Sequence, residues 1–428
     1  MSEMNTANET RFENVACPFC GLCCDDLTLT ARGCRVDVVA NGCELSRRGF
    51  GAPLPPATAL ARQATIQGDT CTLDEAIAYA ADLLRQSRLP LFAGLGTDVN
   101  GARALTRMAD RIGAILDHMN SDAMATNLAA VQDNGWITTT LTEVRNRVDT
   151  LVVFGAGIGS GLPRFYERCF SNVDTLFDNS TANRRLYLIG DEPLPAGVDP
   201  SQVVRIPSAP QNLVNVATTL RAILNGNTDR LTPTDGIPMA DLQQLADRLR
   251  QSVYSVFTWV AGDLDFPHAD LTIQTICNLS RDLNKKTRSA ALPLGGNNGD
   301  HTFAQVCTWQ TGYATRVNLA TGHPEYDLHR YSAARLLAAK HVDLLLWVSA
   351  YAADRLPPAG ELPTIVLGRA SMQLDRDPKV FIPVATPGID HEGHIYRCDG
   401  VATLPLKKLR SCDLPDVHTV VSRITEML

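Results

Sequence analysis

The sequence predicts an α/β protein with a small cysteine-rich unit at its N-terminus, on three observations. Short apolar runs that end at glycines alternate with stretches of helical periodicity, the mark of parallel α/β sheets. Six of the 12 cysteines lie between Cys17 and Cys43, ahead of that alternation. The 428 residues suit about two to three domains rather than one.

Residues 1–50 form the cysteine-rich unit. Cys17, Cys20 and Cys24 follow C-x2-C-x3-C, and Cys43 comes from a later turn. Three thiolates in one tight loop and a fourth from elsewhere can reach the four corners of a 4Fe-4S cluster, each iron taking one sulfur. Pro18 stiffens the first turn, and Gly21 lets backbone N–H groups approach sulfur. Zinc could use the same thiolates, although zinc sites more often pair two C-x2-C knuckles. Unligated thiols are the third reading; disulfides would need an oxidising compartment. Cys23 and Cys34 are left over, since adjacent Cys23 and Cys24 do not readily ligate together.

Leu27–Thr30 and Arg35–Val39 alternate or run β-branched, predicting a hairpin turned at 31–33. Gly51–Thr58, with three prolines, reads as a linker. Thr72-Leu73-Asp74-Glu75 is a capping box, and Ile77, Ala80, Ala81 and Leu84 mark one face of the helix behind it. Buried strands are predicted at 89–92, 150–154, 185–189, 255–260, 289–292, 342–348 and 364–367. Helices are predicted at about 101–116, 210–224, 239–251, 268–284 and 333–340. The last stretch changes character, with turns at Gly388, Gly393 and Gly400 and a short strand at 394–397.

Composition narrows the function. A hydrophobic share of 45% with 20% charged residues is that of a globular protein with real cores. A net charge of −7 without a basic tract argues against nucleic acid or an anionic membrane as partner. No apolar run approaches the ~20 residues that span a bilayer. The polar, acidic start is no signal peptide, and Arg47-Arg48 lies behind the cysteine motif, so a cytoplasmic location is expected.

Two glycine-rich loops follow strands. Gly155–Gly161 resembles a dinucleotide fingerprint only in part: Ser160 stands where a glycine is wanted, and the usual later acidic residue is missing. It reads either as a cradle for phosphate or a pterin tail, or as a plain strand exit. Gly295–His301 suits positive φ and reads as a ligand loop or a crossover. Asp390-His391-Glu392-Gly393-His394 lacks the spacing of a metal site and reads as a turn. No G-x-S-x-G elbow, P-loop lysine or H-E-x-x-H motif is present.

CPFCGLCCDD, TLTEVRNRVDTLVVFG (140–155), LGGNNGDHTFAQVCTWQTGY (294–313) and PGIDHEGHIYRCDGV (387–401) together resemble the B subunit of formylmethanofuran dehydrogenase. The first motif is shared widely among molybdopterin oxidoreductases; the others are more specific. The resemblance implies an iron–sulfur-type unit at 1–58 and two Rossmann-like parallel-sheet lobes, one inserted in the other. The first lobe would take 59–147 and 325–428, and the inserted lobe 148–324. It carries the cluster ligands onto Cys17, Cys20, Cys24 and Cys43.

One departure from the family decides the expected function. In the dehydrogenases a cysteine or selenocysteine followed by histidine ligates molybdenum or tungsten; counting back from Gly135, that slot is Ala123-Met124. The whole segment Ser121–Trp136 holds neither Cys nor His, and the nearest histidine, His118, lies upstream. An alanine methyl cannot ligate a metal, and a thioether poorly replaces a thiolate. This argues against a molybdopterin or tungstopterin. It resembles the formyltransferase/hydrolase complex of methylotrophs, where the formyl group passes from tetrahydromethanopterin to a furan carrier and is hydrolysed to formate.

The expectation is a non-redox structural subunit without catalytic residues of its own. Its partners would be the hydrolase, the C subunit and the formyltransferase, with the furan-type formyl carrier nearby. The rivals are an active molybdenum or tungsten formylmethanofuran dehydrogenase subunit and an iron–sulfur electron-transfer protein.

Overall fold

The computed structural model describes residues 9–56, 58–171, 175–176, 183–227 and 237–428. The first eight residues of the polar N-terminus and Ala57 of the linker lie outside the described residues. The chain divides into two compact units, Met1–Ser121 with Gly296–Leu428, and Asp122–Gly295. The boundaries implied by the resemblance, 147/148 and 324/325, differ from this division. Residues 139–147 are bound into the second unit: Thr139 N–H donates to Ala291 O at 3.2 Å, and Glu143 pairs with Arg288 at 3.3 Å.

In the first unit, Thr10–Val15, Leu27–Arg32 and Arg35–Ala40 form an antiparallel three-stranded sheet. The predicted hairpin is its second and third strands. The first, TRFENV, escapes sequence reading because its side chains are mostly exposed and polar.

The same unit holds a nine-stranded mixed sheet. Its order is Glu325–Tyr326, Val317–Asn318, Ile115–Leu116, Pro90–Gly96, Leu344–Ser349, Thr364–Gly368, Val380–Pro383, Ala64–Ile66, Asp69–Cys71. The five strands from Ile115–Leu116 to Val380–Pro383 run parallel, and the strands outside them pair antiparallel. Because side chains alternate across a strand, the apolar runs feed two cores. Leu91, Ala93, Leu345, Trp347 and Val366 face one way; Phe92, Leu346, Val348, Ile365 and Leu367 face the other.

The capping box forms as read: Glu75 N–H donates to Thr72 Oγ1, and Thr72 N–H to Glu75 Oε2 at 2.8 Å. Helix Leu73–Gln86 buries Ile77, Ala80, Ala81 and Leu84 against the second of those cores. The helix predicted at 101–116 is Val99–Ile112; Gly113, at φ 72°, stops it, and Ile115–Leu116 is a strand. Helix Asp300–Thr311 was hidden behind the glycine-rich turn that precedes it.

The second unit is a parallel five-stranded sheet, in the order Val203–Ile206, Arg185–Ile189, Thr150–Phe154, Tyr254–Val260, Arg288–Leu294. Thr150–Phe154, apolar apart from its first residue, is the middle strand and is buried throughout. The chain leaves it toward one edge and later returns to its other side. That makes a topological switch point between Thr150–Phe154 and Tyr254–Val260. Helices Leu213–Leu224, Met239–Gln251 and Ala269–Leu283 cover one face, over Val152, Phe154, Phe257 and Trp259.

Candidate functional site

The cysteine motif folds into a loop closed on itself: Cys17 N–H donates to Cys24 O at 2.8 Å. Two other segments of the first unit hold it. Gly21 N–H donates to Gly296 O at 2.6 Å, and Cys398 N–H donates to Gly21 O at 2.8 Å. Gly296, Asn298 and Gly299 all take positive φ, as the Gly295–His301 turn predicts. A side chain at 299 would meet Thr97 O at 2.5 Å, so the glycine is needed for the close approach. The turn therefore packs behind the cysteine loop. A cavity of about 10 Å³, room for one water, lies between them, lined by Cys20, Cys23, Asn297 and Asp300.

Cys17, Cys20 and Cys24 are buried; Cys43 is half-buried at the N-cap of helix Glu44–Phe50. Ser46 Oγ accepts from Cys43 N–H at 2.9 Å and donates to Cys43 O at 2.8 Å, which fixes that cap. Burial pushes the Cys17 thiol well up, then proximity to Cys20, with Cys24 and Cys43 adding and the Phe19 backbone N–H opposing. The four thiols thus share one electrostatic neighbourhood, in which thiolates repel one another unless a cation compensates them. Among the described residues, no three His, Cys, Asp or Glu side chains stand close enough to hold a metal ion. In a cubane cluster the ligands bind different irons, whereas four thiolates on one zinc at about 2.3 Å would have to crowd together. Four thiolates suit either group in chemical kind.

Cys23 is buried beside the proposed ligands: burial raises its pKa, and Cys20, Cys398 and Cys24 raise it further. Cys23, at φ 46°, aims its thiol at Cys20 O (3.6 Å) and Tyr396 O (3.7 Å). Cys34 is exposed, and its carbonyl accepts from Arg410 Nη1 at 2.7 Å.

Sequence reasoning missed Asp300. Its buried carboxylate takes Asn297 N–H at 2.8 Å, His301 N–H and the Asn120 amide, pinning the turn. Burial raises its pKa, and those hydrogen bonds oppose the rise. An aspartate opening a helix after Asn-Asn-Gly was the available signal. His118 is buried in the same unit, its pKa pushed down to about 3 by burial, Arg316 and His301. It is a neutral core histidine. Asp390 is no metal ligand: it pairs with Arg410 at 2.7 Å and accepts Thr386 N–H at 2.9 Å.

In the second unit, the slot segment is helix Ser121–Asn134, ended by Gly135 at φ 64°. Ala123 packs against the apolar core that includes Trp259, and its methyl lies 3.8 Å from where a Cβ at Gly262 would stand. Asn127 Oδ1, one turn on, accepts from Trp259 Nε1 at 2.9 Å. The Gly155–Gly161 loop takes positive φ at Gly155 and Gly157, and its N–H groups at 158 and 159 are held by the Glu192 carboxylate.

No protein-family model matches the chain. It is 24% identical to the B subunit of the tungsten-containing formylmethanofuran dehydrogenase 2 of Methanocaldococcus jannaschii, over 97% of this chain and 99% of that one. It is 29% identical to the B subunit of the formyltransferase/hydrolase complex Fhc of Methylorubrum extorquens, over 78% and 88%. Among solved structures, it is similar to a chain of the Methylorubrum extorquens formyltransferase/hydrolase complex FhcABCD, crystallised with methylofuran. The TM-score there is 0.71 with 26% identity, covering 85% of this chain and 98% of the other. Over most of its length, this chain is similar to the B subunits of formylmethanofuran dehydrogenase and of the formyltransferase/hydrolase complex.

Proposed function

We propose that the chain is the B subunit of a formyltransferase/hydrolase complex and does no redox chemistry of its own. In that role it supports tetrahydromethanopterin-linked one-carbon oxidation to formate as a structural subunit. Its partners are the hydrolase, the C subunit and the formyltransferase, with a furan-type formyl carrier passing nearby.

One observation carries the reading. Where the dehydrogenases place a metal-ligating Cys and a His, this chain has Ala123 and Met124, and the half-buried Ala123 packs against the apolar core of its unit. Formate then arises by water attack in a neighbouring subunit. The likeness to the Fhc homologue and to the complex with methylofuran supports the same assignment.

The finer fold reading is part of the proposal. The N-terminal segment is an iron–sulfur-type unit, and the two sheets are Rossmann-like lobes of one former oxidoreductase. Cys17, Cys20, Cys24 and Cys43 would hold a 4Fe-4S cluster. Bound there, the cluster would supply one-electron transfer or a structural crosslink. The chain's own part is to keep three thiols dry and to set the fourth on a helix cap.

The test is purification of the complex from its own host. Native mass measurement should find a hetero-oligomer, with interfaces burying well over ~1,000 Å². Dye-coupled oxidation of the formyl carrier should be absent. Viologen-linked turnover with stoichiometric molybdenum or tungsten would overturn the proposal, and so would a lone active monomer.

A further inference from the structure

We infer that Glu192 and Asp263 close the ligand crevice of the five-stranded unit to phosphate esters, filling from within the position that a pterin or nucleotide pyrophosphate would occupy. The inference concerns this chain alone and holds whether or not it sits in the complex proposed above.

The crevice is located by topology. In an open parallel sheet, ligands bind outside the carboxyl ends of the strands, at the point where strand order reverses. Here that point lies between Thr150–Phe154 and Tyr254–Val260. The loops that leave those two strands are Gly155–Gly161 and Ala261–Asp263. A glycine-rich loop at such a place offers backbone N–H groups to an anion.

Those N–H groups are engaged. Glu192 follows the neighbouring strand Arg185–Ile189 and is 1% exposed. Its carboxylate accepts Gly159 N–H at 2.8 Å and Ile158 N–H at 3.2 Å, and the Tyr166 hydroxyl at 3.3 Å. A buried carboxylate is tolerated only when hydrogen-bonded, and this one is satisfied by the donors a phosphate would use. It is an acceptor from within the chain, seated where a bound anion would sit.

Asp263 completes the closure. It leaves the strand on the other side of the switch point, and its carboxylate lies so close to Gly157 that a Cβ there would overlap Oδ2. Gly157 is at φ 86°, so glycine is required twice over, by conformation and by space. Asp263 is an exposed residue whose carboxylate is partly desolvated, which raises its pKa; the nearby Glu192 raises it further, so the two acids lie in each other's field. An entering phosphate would have to displace one carboxylate and lie against the other. Gly262, beside Asp263, is also the residue that Ala123 approaches. The metal-ligand slot and the acid-filled loop are therefore neighbours within one unit.

The experiment is equilibrium dialysis of the purified full chain against radiolabelled inorganic pyrophosphate and guanosine diphosphate. The wild type should show no saturable binding of either. Glu192→Gln/Asp263→Asn removes both carboxylates while keeping side-chain shape, and should bind pyrophosphate saturably, with at least tenfold more bound than by the wild type at the same free concentration. Glu192→Gln alone, the milder change, should give a gain of the same sign and serves if the double variant does not fold by circular dichroism. Saturable binding to the wild type that Glu192→Gln leaves unchanged would overturn the inference. So would folded variants that gain nothing.

Discussion

Arg410 provides the sharpest mechanical test, because one side chain ties the cysteine-rich segment to the tail. Its Nε donates to Asp390 Oδ1 at 2.7 Å, and the two side chains are 1% and 2% exposed. Nη1 donates to Cys34 O at 2.7 Å and lies 3.5 Å from Ala52 O. Arg410→Met therefore leaves a buried aspartate without its cation and two carbonyls without a donor. Breaking a buried pair by removing one partner costs about 3–5 kcal/mol. Two features place this case near the lower end. Asp390 keeps the Thr386 N–H at 2.9 Å, and Arg369, whose pKa burial pulls down to about 10, already feels Asp390. Arg410→Met/Asp390→Leu removes both charges and should recover about 2 kcal/mol of that loss. A chain with two compact units need not unfold in one step, so the readout is hydrogen exchange of amides 27–50 and 386–410. A single variant within ~1 kcal/mol of wild type, or a double variant as labile as the single, would refute the reasoning.

Three further outcomes are expected. Burial holds His118 down to about 3 and His301 to about 4, and raises Asp117 to about 6. Between about pH 4 and 6 the unfolded chain then binds two more histidine protons and the folded chain about one more aspartate proton. Stability should therefore rise with pH by ~1.4 kcal/mol per unit; Asp117→Asn should steepen that rise, and denaturant midpoints at about pH 4.5, 5.5 and 7 check both. Iron per chain after anaerobic reconstitution should fall at least severalfold in Cys17→Ala, Cys24→Ala or Cys43→Ala and stay unchanged in Cys34→Ala, read by metal analysis and the visible spectrum. Thr72→Ala removes the N-cap acceptor of helix Leu73–Gln86 and should cost ~1 kcal/mol, measured by exchange of amides 73–76.

What the sequence made legible follows from burial. Thr150–Phe154 was readable as a central strand because both its faces are covered, leaving an uninterrupted apolar run. The capping box was readable because its partners are three residues apart. The strand Thr10–Val15 was not, since an exposed strand carries no apolar pattern. The antiparallel edge pairs Val317–Asn318 and Glu325–Tyr326 are too short to show any period. Within the candidate site, the cysteine spacing and the positive-φ turn could be read locally. The contact between Gly21 and Gly296, and that between Gly21 and Cys398, join segments hundreds of residues apart and needed the structure.

The glycine-rich loop shows why a motif must be read together with what fills it. From sequence, Gly155–Gly161 reads more readily as a bare strand exit than as an anion cradle. In the structure it is an anion cradle in geometry, with two successive N–H groups turned to one carboxylate. The carboxylate belongs to the chain. Glu192 lies after the neighbouring strand of the sheet, well beyond any local motif, so no spacing rule anticipates it. The Glu192 carboxylate satisfies the buried Ile158 N–H and the exposed Gly159 residue's N–H, and would repel an incoming phosphate. Restoring Cys and His at 123 and 124 should therefore not restore metal binding while Glu192 and Asp263 remain. The four-residue variant Ala123→Cys, Met124→His, Glu192→Gln, Asp263→Asn is the one to load with a pterin. Metal retention equal in the two-residue and four-residue variants would show that the acids are not the barrier.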